Sequence, residues 1–347
     1  MNTLPSNISK LCILRLSAIG DVCHAAAMVE RIVTHAPHIQ VTWIVGKVEY
    51  QLLKGMPNVR FIVFDKRQGK QAEVQLLNDL DNEKFDALLL MQVAFRANWV
   101  SRLIQAKVKI GFDWQRSKEM HWLFANKRIA PRAHAHVLEG FMGFADALGV
   151  PKVDKPSWSI PMSKEDIEFA DALHHRLGKY VVISPAASKA ERNWSSEGYA
   201  QAADYARTKG YQVVLCGGPS ALDKQLGQEI TESAEQIDEN LIGKTSLKQM
   251  LAVLQRASLV IAPDTGPAHM ATTVGTPVIG LYAHSNPRRT GPYNNLQNVV
   301  SVYDQVIKRQ TGKDWQELPW GKRAKGDTLM SQISIEDVTA QMDALLE

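Results

Sequence analysis

Cysteine is scarce in this chain: Cys12, Cys23 and Cys216 are the whole complement of 347 residues. Each falls in or beside an apolar strand or helix pattern, and none has a neighbour at metal-ligand spacing. Buried free thiols in a reducing compartment are therefore expected, not a disulfide framework. Long apolar runs are missing as well. None approaches the roughly 20 residues that span a bilayer. Residues 1–9 are polar and lack a charged-then-apolar leader, so no secretion signal is expected. G-x-G-x-x-G does not occur, which leaves a dinucleotide site, and with it an oxidoreductase, poorly supported. G-x-S-x-G is absent too, so the usual serine-hydrolase elbow is not there. His134 and His136 alternate and His174 and His175 are adjacent, but no group of His, Cys and carboxylates has a recognised ligand spacing. No metal, no cofactor and no nucleic-acid partner are expected. Neither internal repeats nor low-complexity segments are present.

What remains is a globular composition, 45% hydrophobic and 22% charged, in a chain long enough for two full cores. The net charge of +4 is unevenly divided. Residues 1–155 carry 21 Lys and Arg against 14 Asp and Glu, and the rest carry 19 against 22. A basic first half suits an anionic partner, a phosphorylated molecule or a membrane surface, although scattered solvated charge gives the same count.

Strand-like and helical runs alternate from the start. Strands are expected at residues 11–16, 41–45, 61–64, 87–91 and 108–111, with helices at 22–35 and 72–81. The rhythm stops around residues 150–161, where Pro151, Pro156 and Pro161 mark a linker. It restarts with strands at 180–184, 212–216, 259–262 and 277–282 and helices at 197–209, 220–233, 247–255 and 334–346. This pattern predicts two α/β domains with mostly parallel sheets, residues 1–155 and 156–330, and a C-terminal helix within 331–347. Residues 304–330, polar and basic with Trp315 and Trp320 interspersed, read as a long loop.

Three junctions could carry chemistry. The most informative is L-V-I-A-P-D-T-G-P-A-H at residues 259–269, a strand handing over to a helix that carries His269. Unpaired N–H groups and the positive dipole end of such a helix suit a phosphate. Gly266 allows close backbone approach, and Thr265 is expected to cap the helix and donate a hydrogen bond. An ordinary capped turn reads the same way. At the first strand–helix junction, L-R-L-S-A-I-G-D-V-C-H at residues 14–24, Asp21 is placed to accept a proton from a substrate hydroxyl or merely to complement the dipole. The third junction, I-S-P-A-A-S-K-A-E-R-N-W at residues 183–194, offers Lys189 and Arg192 to an anion whose charge grows as it departs. Gly217-Gly218-Pro219 either borders a nucleotide or is simple turn chemistry.

Taken in order, S-A-I-G-D-V-C-H (17–24), K-A-E-R-N-W (189–194), G-K-T-S-L (243–247), D-T-G-P-A-H-M-A (264–271), T-P-V-I-G-L-Y (276–282) and R-T-G-P-Y (289–293) resemble glycosyltransferase family 9, which includes the ADP-heptose:lipopolysaccharide heptosyltransferases. The resemblance implies an α/β GT-B fold: two Rossmann-like domains with a cleft between them, acceptor in the first and nucleotide sugar in the second. It further implies metal-independent, inverting transfer with Asp21 as general base, and a donor site at Lys189, Arg192, Asp264, Thr265, Gly266 and His269. Arg192 stands where some relatives carry Lys, and Lys189 is able to share its role. C-I-L-R-L-S-A-I-G-D-V-C-H (12–24) and G-F-D-W-Q-R-S-K-E (111–119) are most similar to members that add the first heptose to Kdo of lipid A. An anionic acceptor gives the basic half a purpose, with Lys66, Arg67, Lys70, Arg96, Arg116 and Lys118 as candidate contacts. The partners implied are ADP-heptose and Kdo-lipid A, the place the cytoplasmic face of the inner membrane, held peripherally. Residues 111–122, basic and aromatic, are candidates to touch anionic lipid. A nucleotide-sugar epimerase on the same fold, a heptosyltransferase for another core acceptor and a non-catalytic nucleotide-sugar binder remain alternatives.

Overall fold

A computed structural model describes residues 8–346, so most of the polar opening stretch and Glu347 lie outside the described residues. The chain divides into two compact units, Met1–Pro161 and Met162–Glu347.

The first unit is built from β1 (Lys10–Leu14), α1 (Ile19–His35), β2 (Gln40–Gly46), α2 (Lys47–Leu53), β3 (Val59–Phe64), α3 (Lys70–Leu80), β4 (Lys84–Leu90), α4 (Phe95–Val100), β5 (Gln105–Gly111), β6 (Lys127–Arg128) and α5 (Val137–Ala147). The strands form one sheet in the order β3-β2-β1-β4-β5-β6, every pair parallel. The central strands are almost continuously buried, as strands covered on both faces must be. α1 packs against α5. Buried Arg31 on α1 donates to the carbonyls of Val150 (2.6 Å) and Pro151 (2.7 Å) and pairs with Asp146. Trp158 Nε1 donates to the Cys23 carbonyl at 2.7 Å. The proline-rich stretch is thereby fastened to this unit, and the division falls at its end.

The second unit contains α6 (Lys164–Leu177), β7 (Tyr180–Ile183), α7 (Ser196–Thr208), β8 (Gln212–Leu215), α8 (Ala221–Ser233), β9 (Glu239–Asn240), α9 (Leu247–Arg256), β10 (Leu259–Pro263), α10 (Gly266–Thr273), β11 (Val278–Tyr282), α11 (Pro287–Thr290), β12 (Val300–Ser301), α12 (Tyr303–Thr311) and α13 (Ile335–Leu345). Its sheet, also all parallel, runs β12-β11-β10-β7-β8-β9. Serine caps set the helix starts: Ser163, Ser195, Ser220, Ser246 and Ser334 each accept an N–H of the following turn. α13 packs on α7 and is part of this unit's core.

One expectation is overturned. Residues 304–330 are not a single loop, because α12 occupies their start. Tyr303, Val306 and Ile307 sit at i, i+3, i+4 and are buried in the core of the second unit, and Gly312 at φ 72° ends the helix. Three buried side chains in a polar segment were enough to make a helix there.

In a parallel sheet every strand ends on the same rim, and the loops that follow the strands collect along it. Both sheets reverse their winding once, between β1 and β4 and between β7 and β10. Those reversal points are where ligands of such sheets gather.

Candidate active site

The rim of the first unit holds Asp21 at its reversal point. Helix α1 starts at Ile19, three residues earlier than its apolar pattern suggested, so Asp21 lies in the first turn. Its Oδ2 accepts the Ala18 N–H at 3.3 Å and pairs with the Arg15 guanidinium. Arg15 is itself fixed: its Nη1 donates to the Met91 carbonyl (2.6 Å) and its guanidinium lies 5.3 Å from the Phe141 ring centroid. Gln92, just past β4, accepts the Leu16 N–H at 2.8 Å and closes the junction between the two central strands. The Asp21 side chain stays 37% exposed.

Glu49 joins this rim and was not among the sequence candidates. Burial raises its pKa, as does the Asp21 charge, against its own backbone hydrogen bond and the charges of Lys66 and Arg15. Asp21, Glu49, Lys66 and Arg15 thus form one electrostatic neighbourhood. Gly46 is required beneath it, since a Cβ there would fall 2.3 Å from the Leu16 carbonyl oxygen and 2.4 Å from Glu49 Oε2.

The predicted acceptor cations divide. Lys66 and Arg67 ride a short turn after β3, capped by Asp65, whose Oδ1 accepts the Arg67 N–H at 3.1 Å. Lys70 opens α3, Arg96 lies on α4 and Lys118 follows β5, and all five are exposed. Arg116 differs. It pairs with buried Asp113, donates to the Arg132 carbonyl at 2.9 Å and packs over Gly140, so its charge is spent on its own loop.

On the rim of the second unit, the segments after β7 and β10 meet. Arg192 Nη1 lies 3.5 Å from Asp264 Oδ2, and His269 Nε2 lies 3.7 Å from Oδ1. The Thr290 hydroxyl donates to Oδ2 at 3.4 Å. Burial pushes the Asp264 pKa up, but His269, Arg192 and Ser285 together outweigh it and leave the carboxyl below its ordinary value. Arg192 is held inward, with Nε buried and carrying no protein partner. Lys189 points out, half-exposed and 3.6 Å from Glu191. The loop is anchored by Trp194, whose Nε1 donates to the Ile333 carbonyl at 3.1 Å.

Thr265 departs from expectation. It occupies the N-cap position of α10 without capping it: its hydroxyl donates to the Ala186 carbonyl at 3.0 Å and so ties the β10 loop to the β7 loop. The first N–H groups of α10, at Gly266 and Ala268, therefore have no hydroxyl cap, a disposition suited to an anion.

His284, just past β11, is a further residue that the sequence patterns missed. It is 8% exposed, and neither ring nitrogen has a hydrogen-bond partner. Its surroundings are Arg192, Arg323, Lys189 and Glu191, and burial together with the cations lowers its pKa. Ala324 N–H donates to the His284 carbonyl at 3.0 Å, bringing Arg323 to the rim. Among the described residues no group of His, Cys and carboxylates is arranged to hold a metal ion.

Comparison with known proteins identifies the family and the fold. The profile of glycosyltransferase family 9 (heptosyltransferase) matches residues 74–319. The lipopolysaccharide core heptosyltransferase OpsX of Haemophilus influenzae is 48% identical over 335 residues, 96% of each chain. Lipopolysaccharide heptosyltransferase 1 of Escherichia coli K12 is 25% identical over 84% of this chain and 92% of its own. A family 9 glycosyltransferase from Veillonella parvula superposes with a TM-score of 0.81 at 22% identity, covering 99% of both chains. The E. coli heptosyltransferase WaaC with ADP superposes with a TM-score of 0.75 at 22% identity, covering 96% of this chain and 99% of that one. The fold is thus the α/β GT-B type with two Rossmann-like units.

Proposed function

The chain belongs to glycosyltransferase family 9, the heptosyltransferases, and from that premise we propose how it acts as a lipopolysaccharide core heptosyltransferase. The donor is ADP-L-glycero-D-manno-heptose and the acceptor a Kdo hydroxyl of Kdo-lipid A. Asp21 takes the hydroxyl proton as the acceptor oxygen bonds to the anomeric carbon. The bond from that carbon to the diphosphate oxygen breaks, its electron pair leaves on ADP, and attack from the opposite face inverts the centre. Arg192, the open N–H groups of α10 and Lys189 receive the growing negative charge. Asp264 and His269 orient Arg192, and Lys66, Arg67, Lys70, Arg96 and Lys118 attract the anionic acceptor.

The observation that carries this reading is the Arg192–Asp264 pair beside the uncapped start of α10, at the reversal point of the second sheet. An inward-held arginine and uncapped helix N–H groups at one point suit an anion, and partly exposed Asp21 at the other sheet's reversal point supplies a base. A lipid-anchored acceptor would hold the enzyme peripherally at the cytoplasmic face of the inner membrane. No helix among the described residues is long and apolar enough to cross it.

The test is ADP release from ADP-heptose, with and without Kdo-lipid A lacking heptose. Acceptor-dependent release with one heptose mass added to the lipid is expected. Release without acceptor would point to an epimerase or hydrolase, and binding without release to another core acceptor or to a binder.

A further inference from the structure

We infer that the part of the first unit formed by α4 and residues 112–124 docks on an anionic lipid surface. Eleven large hydrophobic side chains are exposed among the described residues, and six of them lie here: Phe95, Trp99, Trp114, Met120, Trp122 and Leu123. Single exposed apolar residues are ordinary, but a concentration of this kind marks an interaction surface. Phe95 lies 6.2 Å from Trp99 and 6.4 Å from Phe124, centroid to centroid, and Trp114 lies 6.4 Å from Trp122.

Two arginines are built into these aromatic groups. The Arg102 guanidinium sits 4.2 Å from the Trp99 ring centroid, and that of Arg128 4.0 Å from Trp114. Exposed Arg96 and Lys118 add to them. The carboxylates of the same segments are already engaged: Glu119 accepts the Phe95 N–H at 2.5 Å and Asp113 holds Arg116. Indole rings with a polar edge, interleaved with cations and short of free carboxylates, match the headgroup layer of an anionic bilayer. A recess of about 470 Å³, lined by Arg102, Lys109, Leu123 and Phe124, adds cationic and apolar walls side by side, as a phosphate with attached chains requires.

The two segments are presented as one rigid surface. Buried His121 accepts the Phe112 N–H at Nε2 (3.1 Å), and its Nδ1 meets Asn98 Oδ1 at 2.8 Å. Asn98 Nδ2 donates in turn to the carbonyls of Glu119 (3.0 Å) and Val93 (3.2 Å). Because both segments follow β4 and β5, the surface adjoins the rim that carries Asp21. Its purpose rests on the proposed lipid-anchored acceptor; the binding itself does not.

Full-length protein is floated with neutral phosphatidylcholine vesicles and with vesicles containing phosphatidylglycerol. Wild type is expected to bind the anionic vesicles more strongly, and less so as salt rises. W114A/W122A should weaken that binding about tenfold, and R102A/R128A should remove most of the preference for anionic lipid. V74A/L77A, exposed apolar positions on α3, serves as control and should bind as wild type. Thermal midpoints and ADP release with a water-soluble Kdo acceptor, measured on every variant, should match wild type. Absence of vesicle binding by wild type, or binding that survives W114A/W122A, overturns the proposal. So does self-association that W114A/W122A abolishes, which would give the surface to a second copy. Vesicle binding without transfer to any Kdo acceptor would sink the proposed reaction and leave the surface standing.

Discussion

Arg192 and Asp264 meet from loops 72 residues apart, with guanidinium and carboxylate 3.5 Å from each other and both largely buried. The carboxylate fixes where the guanidinium points before any ligand arrives. A cation aimed in advance stabilises departing charge without reorganising at the moment of reaction.

Arg192→Ala should therefore lower kcat by about 100–1,000-fold. Arg192→Lys should restore part of that loss, because the charge returns without the planar fork. Lys189→Ala, removing a half-exposed charge, should cost less than about fivefold. Steady-state kinetics with varied ADP-heptose distinguish the three. A loss with Lys189→Ala as deep as with Arg192→Ala would transfer the diphosphate contact to the outer residue.

Asp21→Asn keeps an oxygen for the Ala18 N–H and removes the proposed base. Turnover should fall about 10²–10⁴-fold, while ADP titrates with unchanged affinity. Glu49→Gln, altering the neighbouring carboxyl, should lower kcat by less than about tenfold, since it changes only the field around Asp21. The reverse order of the two losses would make Glu49 the base.

Gly198→Ala tests the anchor of the Lys189–Trp194 segment. A Cβ at 198 would lie 2.6 Å from the Trp194 ring, and Trp194 is buried in the second unit's core. The overpacking should cost about 1–3 kcal/mol and lower the thermal midpoint by roughly 2–10 °C. KM for ADP-heptose should rise with it, because the displaced indole carries the Arg192 loop. An unchanged midpoint would show that the ring moves aside freely.

His121 makes stability depend on pH. Burial, with help from Arg128, pushes its pKa from 6.5 down to about 4. The unfolded chain then takes the proton first as pH falls, so stability from this group is complete above 6.5 and is lost progressively toward pH 4. The expected loss is on the order of 2 kcal/mol. Urea unfolding at pH 7 and at pH 4.5 reads it. In His121→Gln this pH-dependent component should vanish; if the slope persists unchanged, other groups supply it.

The reversal points of both sheets were legible in the sequence because each is marked locally: an apolar strand, then Gly20-Asp21 or Asp264-Thr265-Gly266, then a helix. Lys189 and Arg192 stood beside a strand end and were legible for the same reason. Arg15, Glu49 and His284 were not, because their meaning arises from contacts between segments distant along the chain. Arg15 sits inside an apolar strand pattern and becomes a site residue only through Asp21 and the Met91 carbonyl. Thr265 misled by composition: its sequence position is that of a cap, but the Ala186 carbonyl, in the loop after β7, competes for the hydroxyl and wins. α12 was hidden by its surface, since six of its nine residues are polar.

The three thiols have a practical consequence. Cys12, Cys23 and Cys216 are all buried, and burial raises the pKa of each, so none presents a thiolate to solvent. The native chain is therefore already a silent background for thiol-directed probes. A spin label introduced through Leu123→Cys, which leaves both indoles in place, would be the sole reporter. Its relaxation by dissolved oxygen against a water-soluble nickel chelate would give the immersion depth of that position directly.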